Sequence, residues 1–222
     1  MLGKITMNNI RYIYVVLSQT PTKFGSMIRR RTKTKYSHIS ISFDEKLVEL
    51  YSFGRAQHEI PMKAGLVKEF RERFSLNKVD YVPCKIYKIP VSQIDYARGF
   101  ELIKEIKNDT DGYLYNLFSV LTYPMFHGIA TYKTFTCVEF TAYMLRSMNV
   151  EWKQSKPDHK YMPEQLGAEL EEWYYSEGNL LDILEPNPEE SEFYFKKSNC
   201  FNTALKSAWV LLRLGYRKMR YL

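Results

Sequence analysis

The strongest constraint on the fold is a stretch of alternating polar and apolar residues, SHISISF, at positions 37–43. A period of two over a β-branched run is typical of a strand. The turn sequence DEK follows, and LVELYSF at positions 47–53 resumes the apolar pattern. The sequence therefore predicts a β-hairpin, with His38 on its first strand and Glu49 on its second.

The register of this hairpin decides which side chains can meet. With a two-residue turn, Ser42 faces Leu47 and Ser40 faces Glu49, so that His38 and Glu49 lie diagonally on one face, within reach of each other. A different turn length would reverse the parity and separate them. The alternatives are a half-buried strand histidine and an exposed strand carboxylate without a joint role.

A second pattern places a cysteine at a helix start. In TFTCVEFTAYML, Thr136 and Glu139 form the T-x-x-E capping box, which predicts a helix beginning at Cys137. The unsatisfied N–H groups and the positive end of the helix dipole favour a thiolate there, and a thiolate is the nucleophilic form of cysteine. The alternative is a small buried side chain, which is common for free cysteine.

The remaining patterns predict a mixed α and β chain. RYIYVVLSQ near the N-terminus and VDYVPCKIYKIP (79–90) are strand candidates, and Pro83 in the second favours an edge or a bulge. Helices are predicted at 92–109, capped by Ser92 and Asp95, at 112–121 ahead of Pro124, at 162–173 and at the C-terminus.

Length and composition suit one well-cored domain. The chain has 222 residues, of which 45% are hydrophobic and 15% aromatic, and this composition argues against disorder. The acidic, proline-containing stretch at 185–193 is typical of a linker. The predicted division is one domain over residues 1–185, followed by a linker and an amphipathic helix over 186–222.

The net charge of +7 comes from dispersed residues and two basic runs, at 28–35 and 213–220. Such runs can contact an anionic membrane surface or nucleic acid, although a solvated surface is the commoner explanation. No specific nucleic-acid motif accompanies them. The candidate residues for an anionic partner are Arg29, Arg30, Arg31, Lys33 and Lys35.

The other titratable residues suggest no metal site. Three cysteines without a CxxC pair and four histidines without HExxH spacing fit neither a zinc site nor a disulfide framework. The apolar run at 12–17 is too short for a signal peptide or a transmembrane helix. The expectation is a cytoplasmic protein with free thiols. His127, a rival base, falls in a loop-like stretch, as do His58 and His159.

The two patterns together resemble the circularly permuted branch of the NlpC/P60 superfamily, which consists of papain-like thiol hydrolases. YSHISISF on a strand, a polar residue on the next strand and, much later, FTCVEFTAYML opening a helix match the order of the permuted enzymes, such as the YiiX-type proteins and lecithin retinol acyltransferase. The resemblance covers roughly residues 10–175. It implies an antiparallel sheet packed against helices that include the cysteine helix.

The resemblance also implies roles for particular residues. Cys137 would be the nucleophile, His38 the base and Glu49 the third member of the triad. Tyr115, or alternatively Tyr113, would line the oxyanion region. No metal or organic cofactor is implied. Two features depart from the family pattern, because Val138 replaces the usual small residue and the C-terminal extension has no counterpart.

Three functions follow as expectations. The first is a cysteine hydrolase, amidase- or peptidase-like, that works through a thioester acyl-enzyme on an amide or ester substrate of unknown identity. An acyltransferase could use the same triad. A non-catalytic binding module would instead use the basic surface to contact anionic lipid or nucleic acid.

Overall fold

The structure, a computed structural model, describes residues 10–22, 25–26, 29–30, 33–60, 62–126, 128–197 and 199–221. For residues 121–122, 124–126, 200–202, 206 and 220–221 only the backbone is considered. The described residues contain eight strands: β1 (Ile10–Ser18), β2 (His38–Ser42), β3 (Leu50–Arg55), β4 (Ala64–Lys68), β5 (Pro83–Ser92), β6 (Leu114–Tyr115), β7 (Thr134–Phe135) and β8 (Tyr174–Asn179).

Six of these strands form one antiparallel sheet in the order β4-β3-β2-β1-β5-β8. The predicted hairpin is present as β2 and β3, and the N-terminal strand β1 lies at the centre of the sheet. Strands β6 and β7 form a short parallel pair of their own. Pro83 is the first residue of β5, where the absence of its N–H does not interrupt the ladder.

Helices cover and extend the sheet. The described α-helices are α1 (Arg71–Ser75), α2 (Gln93–Asn108), α3 (Leu117–Phe126), α4 (Cys137–Ser147), α5 (Pro163–Glu169), α6 (Pro188–Phe195) and α7 (Cys200–Tyr221). Short 3₁₀ turns occupy Asp158–Lys160, Glu171–Trp173 and Leu180–Asp182. An α+β fold with an antiparallel sheet packed against helices, including the cysteine helix, is therefore confirmed.

The sheet is buried on both faces. Along β1, Ile13, Val15 and Leu17 join the core beneath α2, α4 and α5, whereas Tyr14 and Val16 belong to a second apolar cluster on the opposite face. Alternating side chains point to opposite faces of a strand, so a continuous apolar run such as YIYVVL suits a strand that is covered on both sides. Helix α4 packs directly on β2 and β3.

The hairpin register differs from the sequence expectation. Ser42 pairs with Leu50 and Ile41 pairs with Tyr51, so the connection between the strands spans residues 43–49 and is longer than two residues. The Asp44 carboxylate accepts hydrogen bonds from the N–H groups of Val48 and Glu49, which stabilises this longer loop. Each side chain of β3 therefore points to the face of the sheet opposite to the one predicted.

Several other boundaries required correction. Helix α3 begins at Leu117 and runs through Pro124, whereas the sequence suggested 112–121. Residues 188–195, which resembled a linker, form α6, whose Tyr194 is buried against Phe70. Strand β4, helix α1 and strand β8 were not anticipated, because their sequences lack a clear periodic apolar pattern.

The C-terminal helix α7 is present as predicted. Leu214 and Arg217 are its buried side chains among those described. No described helix combines the length and the apolar composition needed to cross a membrane.

Candidate functional site

Cys137 is the first residue of α4, as the capping box predicted. The Thr136 hydroxyl accepts a hydrogen bond from the Glu139 N–H at 3.2 Å, and the Glu139 carboxylate accepts one from the Thr136 N–H at 2.7 Å. The first turn of a helix carries N–H groups that have no intrahelical acceptor, and these favour negative charge nearby. Cys137 is thus fixed at the end of a helix that can stabilise an anion.

His38, the first residue of β2, lines the same cavity as Cys137 and is close enough for the Cys137 side chain to influence its pKa. Its Nε2 lies 2.8 Å from Oε1 of Glu69, which leaves Nδ1 as the ring nitrogen for the thiol. Burial alone would lower the pKa of His38, but the hydrogen bonds and charges of Cys137 and Glu69 outweigh it and raise this pKa to about 10. His38 is therefore expected to be an imidazolium at neutral pH.

Glu69 lies directly after β4 and is held from three sides. Its Oε1 accepts from the Ser52 hydroxyl at 2.5 Å as well as contacting His38, and its Oε2 accepts from Nε of Arg73 at 2.6 Å. Burial would raise the pKa of this carboxyl, yet the Arg73 charge and the His38 and Ser52 hydrogen bonds hold it far below its usual range. The side chain is 3% exposed, so the charge is both buried and fully paired.

Glu49, the residue expected at this position, lies elsewhere. Its carboxylate accepts from Nζ of Lys68 at 2.6 Å and from the Tyr51 hydroxyl. With Ser42 paired to Leu50, Ser52 lies on the same face of the sheet as His38. Glu49 is an odd number of residues from Ser52 and is therefore not aligned with that face. The structure brings Cys137 and His38 together, and it supplies Glu69 in place of Glu49.

A signal for Glu69 was present in the sequence. Glu69 and Arg73 are spaced i, i+4 in EFRER, which is the spacing of an ion pair on a helix. Such pairs are usually exposed, and nothing in the sequence indicated that this one would be buried beside a strand histidine 31 residues earlier.

The three side chains line one cavity of about 360 Å³. Thr20, Ser37 and Arg55 contribute polar groups to its wall, and its apolar wall is formed by Phe53, Met62, Phe74, Leu117 and Tyr194. A cleft with a largely apolar lining and a few convergent polar groups is the usual form of a small-molecule site. The thiol of Cys137 therefore opens onto a space that could hold a substrate.

Of the two tyrosines proposed for the oxyanion region, Tyr115 lines this cavity and Tyr113 is not among the described lining residues. Burial, followed by the charges of Cys137 and Glu139, raises the pKa of Tyr115 well above its usual value. Its hydroxyl consequently keeps its proton and can donate a hydrogen bond. Tyr113 instead stacks on Phe135, with ring centroids 5.4 Å apart.

Glu139 is a buried carboxyl beneath the same helix start. It is 5% exposed, and Nδ2 of Asn116 lies 3.4 Å from its Oε1. Burial raises the pKa of Glu139 to about 7, against the lowering effect of the Thr136 and Asn116 hydrogen bonds. The folded protein therefore holds a proton on Glu139 more tightly than the unfolded chain does.

This shift predicts a pH-dependent stability. Because the pKa of Glu139 is raised in the folded state, protonated Glu139 contributes its full stabilisation of the fold below pH ~4.5. This stabilisation is lost as the pH rises towards 7. We expect the unfolding free energy of Glu139→Gln, which can still close the capping box, to rise relative to that of wild type by about 2.5 kcal/mol between pH 5 and pH 8. Urea unfolding at each pH measures this, with exposed Glu151→Gln as the matched control. Parallel pH profiles for wild type and Glu139→Gln would contradict the assignment.

The candidate anionic-contact residues are only partly surface groups. Arg29 turns inward, donating from Nη1 to the Thr20 carbonyl at 2.7 Å and to the Ser37 hydroxyl at 3.1 Å. Arg30 and Lys33 are exposed, and the exposed Lys35 places its ammonium 5.0 Å from the Tyr36 ring centroid. Arg31 lies outside the described residues. The basic run is therefore divided between structural and solvent-facing side chains.

Neither His58 nor His159 is among the described residues that line the cavity of Cys137. His58 packs its ring against Tyr194 and Phe195, and His159 lies in a 3₁₀ turn. His127 lies outside the described residues. Among the residues that the structure describes, no group of three or more histidine, cysteine or acidic side chains could hold a metal ion.

Comparisons with protein-family models, with curated proteins and with solved structures find no match to this chain.

Proposed function

We propose that this protein is a cysteine hydrolase of amidase or peptidase type, with Cys137 as nucleophile, His38 as base and Glu69 as the residue that orients His38. The observation that carries the proposal is the placement of Cys137, His38 and Glu69 together at the wall of one cavity, with Nε2 of His38 2.8 Å from Oε1 of Glu69. A nucleophile, a base within hydrogen-bond reach and a third group that fixes the base are the requirements of this chemistry.

The reaction follows from these positions. In the resting site His38 already holds the proton from the Cys137 thiol as an imidazolium, and the Cys137 thiolate attacks the substrate carbonyl carbon. The oxyanion is stabilised by the Cys137 backbone N–H and the Tyr115 hydroxyl. The His38 imidazolium then gives its proton to the leaving amine or alcohol as the carbonyl–heteroatom bond breaks, which leaves a thioester. Water, deprotonated by the now neutral His38, attacks the thioester carbon. The carbon–sulfur bond then breaks, which releases the acid and restores the Cys137 thiolate beside the His38 imidazolium.

The resemblance to the permuted NlpC/P60 enzymes supports this assignment through chain order, since His38 precedes Cys137 and both belong to a sheet-and-helix arrangement. The third residue differs in its origin, because Glu69 follows β4 and not the returning strand of the hairpin. An acyltransferase remains the second candidate, and the apolar cavity wall favours it, because a dry site protects a thioester from water.

The proposal is tested by the pH dependence of iodoacetamide alkylation, read for each cysteine by peptide mass spectrometry. We expect Cys137 to be alkylated readily at pH ~6.5, where an ordinary thiol is about 99% protonated. His38→Ala should lower that rate at least about tenfold, because the paired imidazolium is lost. Cys84 is the internal control, since burial raises its pKa to about 11.

Accessibility is separated from activation by repeating the iodoacetamide reaction at pH ~8.5, where an ordinary thiol is about half ionised. If Cys137 of the folded protein is alkylated at pH ~8.5 but not at pH ~6.5, Cys137 is reachable but not activated. That pattern would refute the hydrolase and the acyltransferase alike, because both need the same thiolate.

A further inference from the structure

The C-terminal helix α7 presents its apolar face to solvent. Five large side chains on it are between 60% and 69% exposed: Leu205, Trp209, Leu212, Tyr216 and Met219. Their spacing of four, three, four and three residues aligns them along one side of an α-helix. This set is referred to below as the apolar stripe.

The face that α7 buries is the opposite one and is partly polar. At 100° per residue, Leu214 and Arg217 lie far around the helix from the apolar stripe. Arg217 donates to the carbonyl oxygens of Lys133, Asp111 and Gly112 at 2.7 to 2.8 Å. A helix that packs on its own domain normally buries its apolar side. The attachment of α7 therefore leaves the stripe exposed, although Trp209, Leu212 and Tyr216 also line an open cavity beside Asp111 and Tyr132.

The charges of α7 indicate what covers the stripe. Residues 200–221 contain five lysines and arginines and no acidic residue: Lys206, Arg213, Arg217, Lys218 and Arg220. Two copies paired through the stripe would bring like charges together, without carboxylates to offset them. Arg217 is used in the attachment of α7. An anionic bilayer surface would instead attract the remaining positive charge of the helix while accepting the apolar side chains.

The composition of the stripe agrees with a bilayer interface. Trp209 and Tyr216 combine an apolar ring with a polar atom, a combination that favours the boundary between lipid headgroups and acyl chains. We propose that α7 docks this protein on anionic lipid bilayers, lying in the plane of the surface with the apolar stripe inserted. This inference is independent of the chemistry at Cys137.

The test is sedimentation of the full chain with vesicles of phosphatidylcholine alone or mixed with phosphatidylglycerol. We expect binding to the anionic vesicles, with a blue shift of Trp209 fluorescence, and weakening as salt rises. Leu205→Ser/Leu212→Ser should lower the partition coefficient at least about tenfold, because two inserted apolar groups are lost. The matched control is Tyr81→Ser/Ile94→Ser, which removes two exposed apolar side chains elsewhere.

Three outcomes would overturn the proposal. One is an absence of binding to anionic vesicles at low salt. Another is binding that Leu205→Ser/Leu212→Ser leaves unchanged, which would assign it to a different surface. The third is a solution dimer, seen by analytical ultracentrifugation, that the same variant dissociates, since the stripe would then be covered by a second copy.

Discussion

Cys137→Ala is expected to abolish formation of an acyl-enzyme and to lower turnover of activated acyl substrates at least about 10³-fold. The reason is that Cys137, which lies beside His38, is the one thiol among the described residues that line the cavity. The measurement uses a panel of p-nitrophenyl esters and anilides of increasing acyl length. Released nitrophenol or nitroaniline gives the rate, and intact mass gives the adduct.

The adduct distinguishes the candidate functions. A wild-type acyl-enzyme that decays in water indicates a hydrolase, and one that persists until an amine or alcohol is added indicates a transferase. Cys84→Ala is the control, because Cys84 is buried on the opposite face of the sheet from the core that contains Cys137. Full turnover and an unchanged adduct in Cys137→Ala would remove the nucleophile assignment.

Glu69→Ala is expected to destabilise the fold by about 3–5 kcal/mol, in addition to its effect on the thiol. The substitution leaves two buried cations, His38 and Arg73, without their carboxylate. Removal of one partner from a buried ion pair exposes the full desolvation cost of the other. Urea unfolding at pH 7 measures the loss of unfolding free energy. The alkylation rate of Cys137 measures the effect on the Cys137–His38 pair.

Two further variants sharpen this experiment. Glu49→Ala, at the carboxylate first expected in the triad, should cost at most about 1 kcal/mol because its partner Lys68 is exposed. Glu69→Ala/Arg73→Ala should recover part of the stability lost in Glu69→Ala, since one unpaired cation is removed. Equal effects of Glu49→Ala and Glu69→Ala would contradict the distinction drawn between them.

The local patterns in the sequence predicted local structure well. The hairpin, the capped start of α4 at Cys137 and the capped start of α2 at Ser92 all depend on residues within a few positions of one another. Capping and alternation are short-range effects, so a single sequence contains them. The proximity of Cys137 and His38 followed from the resemblance, not from any spacing in the chain.

The third residue could not be predicted, because it depends on a register. Asp44 stabilises a longer connection between β2 and β3 than the two-residue turn that was assumed, and this reverses the parity of β3. A shift of one position moves every side chain to the other face. Strand β4, which delivers Glu69, contains Ala64 and Gly65 and so carries little strand signal of its own.

The chain order of the site has a consequence for how the protein is made. His38 on β2 and Glu69 at the end of β4 come from strands that flank β3 in the sheet, and both are synthesised early, whereas Cys137 arrives on a helix from the second half of the chain. A nascent chain released from the ribosome before α4 has emerged would contain His38 and Glu69 but not Cys137. The reactivity proposed for Cys137 would therefore appear only when Cys137 on α4 reaches His38 on β2, which is a late, non-local contact. Alkylation of Cys137 would then report complete folding and not partial collapse.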